Sequence, residues 1–326
     1  MQTEVPIQYR QAPTLNDHKG DERTVGFELE FTGLSLSQAS EAVRQALGGD
    51  VTKKHKALHL VTVDGLGEFH VELDWSYLKK TAEQNPDADH VTLLRDAASL
   101  VVPIEVVCPP IPVTVLHKLD PMVRELRLAG AMGTEDSVLA AFGVHVNAAL
   151  PALDADTIHR HIKAFSLLQW WLVQAHDVNV SRRITPYVDL YPEAYVRDII
   201  NTRAPDIDRV FDSYLEHNAT RNRALDMLPL LAHLDEDRVK KAVDDERIKA
   251  RPTFHYRLSN CSIDDAQWDL AQSWNLWVVV EKLACQPDLM DQLGKDFIAA
   301  SRPLLGINEQ RWIERVDRWI KDHGLV

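Results

Sequence analysis

The chain has 326 residues, with 36 Lys+Arg against 49 Asp+Glu and a net charge of −13 when histidine is neutral. That field repels a polyanion met along a broad surface, which excludes nucleic acid as a partner class but leaves local basic clusters able to hold a small anion. Hydrophobic residues at 45% and charged residues at 26% lie near globular averages, so a core is available and no disordered or fibrous signature is present.

Residues 1–23 are polar, with little periodicity around Pro6 and Pro13, and read as a loosely held lead-in. From Thr24 to Phe31 the pattern alternates with period two, placing Phe27, Leu29 and Phe31 on one face of a strand and Glu28 and Glu30 on the other. A helix from Ser37 follows, stopped by Gly48-Gly49, and the basic run Lys53-Lys54-His55-Lys56 reads as a solvated loop. The next pattern is a hairpin: His59–Val63, a turn at Asp64–Gly67, then Glu68–Asp74 with His70, Glu72 and Asp74 on its polar face. A strand over Val102–Val107 presents Glu105 among apolar neighbours and ends at Cys108-Pro109-Pro110. Val123–Met132 reads as helical, and Phe142–Asn147 as a strand with His145 and Asn147 on one face.

Asp154–Ala175 has helical spacing with Asp154 or Asp156 as its cap. A loop bearing Arg182, Arg183 and Tyr187 then leads into a largely helical insertion over about 177–251, including a charged helix at Glu236–Lys249. Thr253–Leu258 is a further strand with His255 and Arg257 on one face, and Trp268–Leu283 and Asn308–Ile320 read as helices. Trp170, Trp171, Trp274 and Trp277 sit at helical spacings among aliphatic residues, as core aromatics do. The pattern predicts an α+β fold, an antiparallel sheet covered by helices on one side. One catalytic domain over 24–285 would carry it, with C-terminal helices over 286–326 packed on the same domain.

Several chemistries are excluded. There is no GxxxxGK[ST] motif, and Gly65-Leu66-Gly67 continues without a third glycine, so neither a P-loop nor a Rossmann turn is present. Cys108, Cys261 and Cys285 are far apart and suit a reducing compartment rather than a disulfide scaffold or zinc knuckle. No apolar run approaches the ~20 residues of a membrane span, and the N-terminus lacks a basic start and an apolar core. The expectation is a cytoplasmic protein with no membrane partner.

Five strand patterns place carboxylates and imidazoles, with almost no lysine, on their polar faces. Glutamates converging on one surface raise one another's pKa unless a cation neutralises them, and carboxylate oxygens with an occasional imidazole suit Mg²⁺ or Mn²⁺. A wet outer face of a half-buried sheet is the plain alternative.

The ordered set GFELEF, HVELD, IEVVCPP, GVHVN and FHYRLSN, spanning about Thr24 to Glu281, resembles the amidoligase family, relatives of glutamine synthetase and glutamate–cysteine ligase. The resemblance implies a glutamine synthetase-like, curved antiparallel sheet with helices on its convex side and ATP and divalent metal on its concave face. It implies metal ligation by Glu28, Glu30, Glu72 and Glu105, with His145 against metal and nucleotide, Asn147 beside it, and Arg257 on phosphate. Where such enzymes commonly carry a glutamate two residues before that arginine, this chain has His255, so that position is ligated by imidazole, served by another carboxylate, or empty. Arg182 and Arg183 are candidates for a substrate carboxylate or phosphate, because guanidinium forks suit both.

The implied reaction is ATP-dependent amide formation through an acyl phosphate, joining small-molecule or peptide carboxylate and amine substrates. No cysteine nucleophile is needed for it. Metal-dependent hydrolysis on the same site and a catalytically decayed nucleotide-binding module are the alternatives.

Overall fold

Alternating apolar residues build the sheet that positions the candidate glutamates, histidines, Asn147 and Arg257. The computed structural model describes residues 7–73, 103–134, 142–184, 188–302 and 306–326; Asp74, Val102 and Tyr187 lie outside them. Strands β1 (Thr24–Phe31), β2 (Asp50–His55), β3 (Leu58–Val63), β4 (Gly67–Leu73), β5 (Ile104–Val107), β6 (Ile111–Pro112), β7 (Gly143–Ala148), β8 (Leu225–Asp226) and β9 (His255–Asn260) form one open sheet. Its order is β2-β3-β4-β5-β1-β7-β9-β8, with β6 beside β1, and the registers of β2 through β5, of β5 with β1 and of β8 with β9 are antiparallel. The α+β class is as the sequence predicts. No described helix is long and apolar enough to cross a membrane.

The chain divides into two compact units, the first comprising Met1–Tyr9, Val25–His145 and Ser259–Gln272. In it, direct cross-strand pairing sets His59, Val71, Val106 and Leu29 in one buried row. Helix α1 (Leu36–Leu47) covers that face, its Ser40 Oγ lying 2.8 Å from His59 Nδ1. A capping box between Ser35 and Gln38 starts α1 one residue before the predicted Ser37. Gly49 follows its end at φ +88°, where a Cβ would sit 2.0 Å from the Thr62 carbonyl oxygen, so only glycine fits the turn into β2. Helix α2 (Asp120–Ala129) packs on α1, and its Arg127 donates to the carbonyls of Ile263 and Trp268 at 2.7 and 2.6 Å.

The second unit comprises Arg10–Thr24, Val146–Leu258 and Ser273–Val326. Its centre is α3 (Ala155–Ala175), capped by Asp154 through the Thr157 N–H and buried over most of its length. Packed on α3 are α5 (Glu193–Asn201), α6 (Ile207–Asn218), α10 (Pro287–Ala300) and α11 (Glu309–Asp322). Trp312 Nε1 donates to the Leu167 carbonyl at 3.0 Å, and Phe297 sits between Trp170 and Trp312, stacked on one and edge-on to the other.

Four local expectations are corrected. Lys53 and Lys54 lie not in a loop but on β2, the exposed edge strand, where lysines discourage edge-to-edge pairing. Arg182 and Arg183 lie on the short helix α4 (Val180–Ile184), formed because the Asn179 carbonyl accepts both of their N–H groups. The charged helix from Glu236, here α8, ends at Ala242 because Val243 turns extended and Asp245 Oδ1 takes the Arg247 N–H. The lead-in is held firmly from Ile7 onward, since Arg10 is fixed by Asn275 and Trp274 and Arg23 is 2% exposed.

Arg23 explains that anchoring. Its guanidinium donates to the Thr14 and Ala149 carbonyls and to both oxygens of Glu281, whose Oε1 also accepts Trp277 Nε1–H; each partner of the ion pair is 1% exposed. Removing one partner of a buried pair strands a charge, so Glu281→Ala is expected to cost about 3–5 kcal/mol in urea denaturation. An apolar double replacement at both positions should cost less than either single change.

Candidate functional site

In the first unit, the face opposite α1 carries the acids. Glu72 pairs directly with Glu105, and Glu105 with Glu30, so three carboxylates form an unbroken row across β4, β5 and β1. One step along, His70, Val107 and Glu28 make a parallel row. Directly opposed like charges destabilise a sheet by roughly 0.2–1 kcal/mol each, so such a row stands against the fold's own stability unless a cation shares it.

Strand β7 adds the imidazole. The strand alternation over Val144-His145-Val146 turns His145 toward the acids: Nδ1 lies 2.8 Å from Glu28 Oε2, and Nε2 lies 3.7 Å from Glu30 Oε1. With the proton assigned to Nδ1, that nitrogen donates to Glu28, and the Nε2 lone pair faces Glu30. A carboxylate on one ring nitrogen that sets the direction of the other is how metal-ligating histidines are oriented. The Gly143 N–H donates to Glu30 Oε2 at 2.8 Å and fixes that carboxylate. One ligand atom each from Glu30, Glu105 and His145 lie within 4.8 Å of one another, a spread that small side-chain shifts contract around one ion. Glu28 and His145 are buried, whereas Glu30, Glu72 and Glu105 are half-buried and reachable. Two or three carboxylates with one imidazole fit a hard divalent cation.

In the second unit, β7 continues to Asn147 and β9 carries His255 and Arg257. Arg251 Nη2 and Asn147 Oδ1 each lie 2.7 Å from His255 Nδ1. Arg257 Nη2 is 3.7 Å from Asp226 Oδ2. Arg182 is buried, and its guanidinium donates to the Leu258 and Arg257 carbonyls at 2.8 and 2.7 Å, holding the β9 backbone. Arg183 is exposed and lines an open cavity of about 360 Å³ with Trp170, Asp177, Asp189 and Glu309.

Sequence reasoning passed over Asp226, which is fully buried on the two-residue strand β8. A signal existed, since Ala224-Leu225-Asp226-Met227-Leu228 places a lone acid in an apolar run, and a buried charge needs a partner. Burial pushes the Asp226 carboxyl up to about 6, with Arg257, Arg221 and Arg251 opposing. Burial likewise pushes the Cys108 thiol well above its usual range, which keeps it protonated and poorly nucleophilic.

An open antiparallel sheet with a carboxylate row on one face places the chain in the α+β class and sets acidic and imidazole groups where a metal ion could be held. A family model described as "Putative amidoligase enzyme" matches residues 21–279, and the chain belongs to this family, which makes it an enzyme of ligase type. No curated protein matches the sequence.

Two outcomes are expected from this geometry. Mn²⁺ should raise the melting temperature of the chain, and Glu105→Gln should abolish the rise; Glu72→Gln, by relieving one opposed pair, should stabilise the metal-free chain by about 0.5 kcal/mol in denaturant titration. The second concerns pH. With its folded pKa raised, Asp226 contributes stability that is fully present below about 4 and lost as pH rises through about 6, so Asp226→Asn should gain on the wild type between pH 4 and 7 in melting curves.

Proposed function

We propose that the protein is an ATP-dependent carboxylate–amine ligase that uses Mg²⁺ or Mn²⁺ at the Glu30, Glu105 and His145 cluster. The observation that carries the reading is the in-register row Glu72, Glu105 and Glu30 with the Glu28-oriented imidazole beside it. Family membership supports the ligase class. When bound, the cation would neutralise the row and draw phosphate oxygens to it.

The chain's own residues divide the work. Glu28 holds the His145 ring in one orientation, and the Gly143 N–H holds Glu30. Glu72 extends the negative row at the β4 end, where a second ion or a substrate ammonium would find its charge complement. Arg257 contacts a phosphoryl oxygen, with Arg182 holding the strand that carries it. The His255 ring is held at Nδ1 by Arg251 and Asn147.

A carboxylate is a poor electrophile. In the proposed reaction its oxygen attacks the γ-phosphorus of ATP, the bond to the bridging oxygen breaks, and ADP leaves; an amine then attacks the acyl carbon, phosphate departs, and the amide forms with loss of a proton. Charge stabilisation by cations and guanidinium is most of what phosphoryl transfer asks of a protein. The protonated Cys108 is not used.

Isothermal titration with a non-hydrolysable ATP analogue tests the reading. Binding should require Mg²⁺ and be lost in Glu30→Ala, and the same variant should release no ADP with any acid and amine pair. Metal-independent binding of unchanged affinity in Glu30→Ala would contradict it.

A further inference from the structure

Within the second unit, the cavity beside Arg183 has no part in the proposed reaction. Alternation along β9 sets Leu258 on the face opposite His255 and Arg257. Leu258 lines the cavity together with the C-terminal half of α3, helix α4 and the start of α11, so a ligand held there meets the helices rather than the side of β9 that carries Arg257. Its volume of about 360 Å³ is at the small end of the range for small-molecule pockets.

The lining is sorted by chemistry. Val173, Leu258 and Ile313 supply an aliphatic wall, while Asp177, Asp189 and Glu309 set three carboxylates against the single guanidinium of Arg183. These acids do not converge on a point: among the described residues they belong to no group whose ligand atoms gather within 4.8 Å, as the acids of a metal site must. Separated carboxylates beside an aliphatic wall suit ammonium groups spaced along a methylene chain. The lining also offers donors. Trp170 is only 7% exposed, yet among the described residues its indole N–H has no hydrogen-bond partner, and a buried indole N–H ordinarily finds an acceptor. With the Arg183 fork on the same cavity, the group that matches these donors is a carboxylate.

We infer that this cavity binds an α-amino acid bearing a second cationic group. Its carboxylate meets Arg183 and the Trp170 N–H, its two ammonium groups meet Asp189 and Glu309, and its methylene chain lies along the aliphatic wall. A plain diamine brings no acceptor for Trp170. An amino acid with a neutral side chain leaves one of the acids unmatched. Neither the carboxylate row nor a nucleotide takes part, so the site stands or falls independently of the ligase reading.

L-Lysine titrated calorimetrically into the full chain, in excess EDTA and without nucleotide, tests the site. The wild type should bind it at millimolar concentration or below. L-Norleucine, which lacks the side-chain cation, and cadaverine, which lacks the carboxylate, should each bind about tenfold more weakly. Asp189→Asn and Glu309→Gln should each weaken lysine binding about tenfold, and Arg183→Gln should bring lysine down to the affinity of cadaverine. All three side chains are exposed, so the variants should fold, as far-UV circular dichroism would verify. No binding of lysine, norleucine or cadaverine binding as tightly as lysine, or full affinity in Asp189→Asn and Glu309→Gln would each overturn the assignment. Binding lost in Glu30→Ala but kept in Asp189→Asn would overturn it too, by placing the amino acid at the carboxylate row.

Discussion

The direct opposition of Glu30, Glu105 and Glu72 is the constraint on which the account turns. Antiparallel pairing puts facing side chains about 4.5–5.5 Å apart at Cβ, and a single-residue slip would send every one of these carboxylates to the α1 face, into the row of Val71, Val106 and Leu29. The buried row therefore fixes the register, and the register forces the acids together. The apolar face supplies the stability against which the acidic face stands, and the proposed cation converts that repulsion into binding.

Two charged centres of opposite sign follow from the same sheet. In the first unit, β4, β5, β1 and the start of β7 gather carboxylates and one imidazole. In the second, Arg257 on β9 lies 3.7 Å from the buried Asp226 on β8. A ligase of the proposed kind needs both chemistries, a cation-loaded surface and fixed positive charge for a transferring phosphoryl group. No covalent nucleophile is required, and the buried, protonated Cys108 agrees with that.

What was legible in the sequence follows from what is periodic. Glu28 and Glu30, His70 and Glu72, and His145 and Asn147 were readable because a strand's period of two is written in the residues themselves. That Glu72 faces Glu105, and Glu105 faces Glu30, was not, because pairing between strands depends on three-dimensional closure across intervening segments. The His145 ring contact with Glu28 was hidden for the same reason. Arg182 looked like a ligand-facing arginine, yet it donates to the β9 backbone, since the short helix from Val180 buries it. Asp226 was passed over because a two-residue strand has no period to read. The short Lys53–Lys54 edge strand escaped likewise, its charge mimicking a loop.

The central claim, that the glutamate row is a divalent-cation site, is tested most directly by anomalous diffraction from crystals soaked in Mn²⁺. The account requires a manganese peak with carboxylate oxygens of Glu30 and Glu105 within about 2.0–2.3 Å, His145 Nε2 turned toward it, and no peak in Glu105→Gln crystals. Wild-type crystals without a peak at the row at saturating Mn²⁺, or a peak that persists undiminished in the variant, would contradict it.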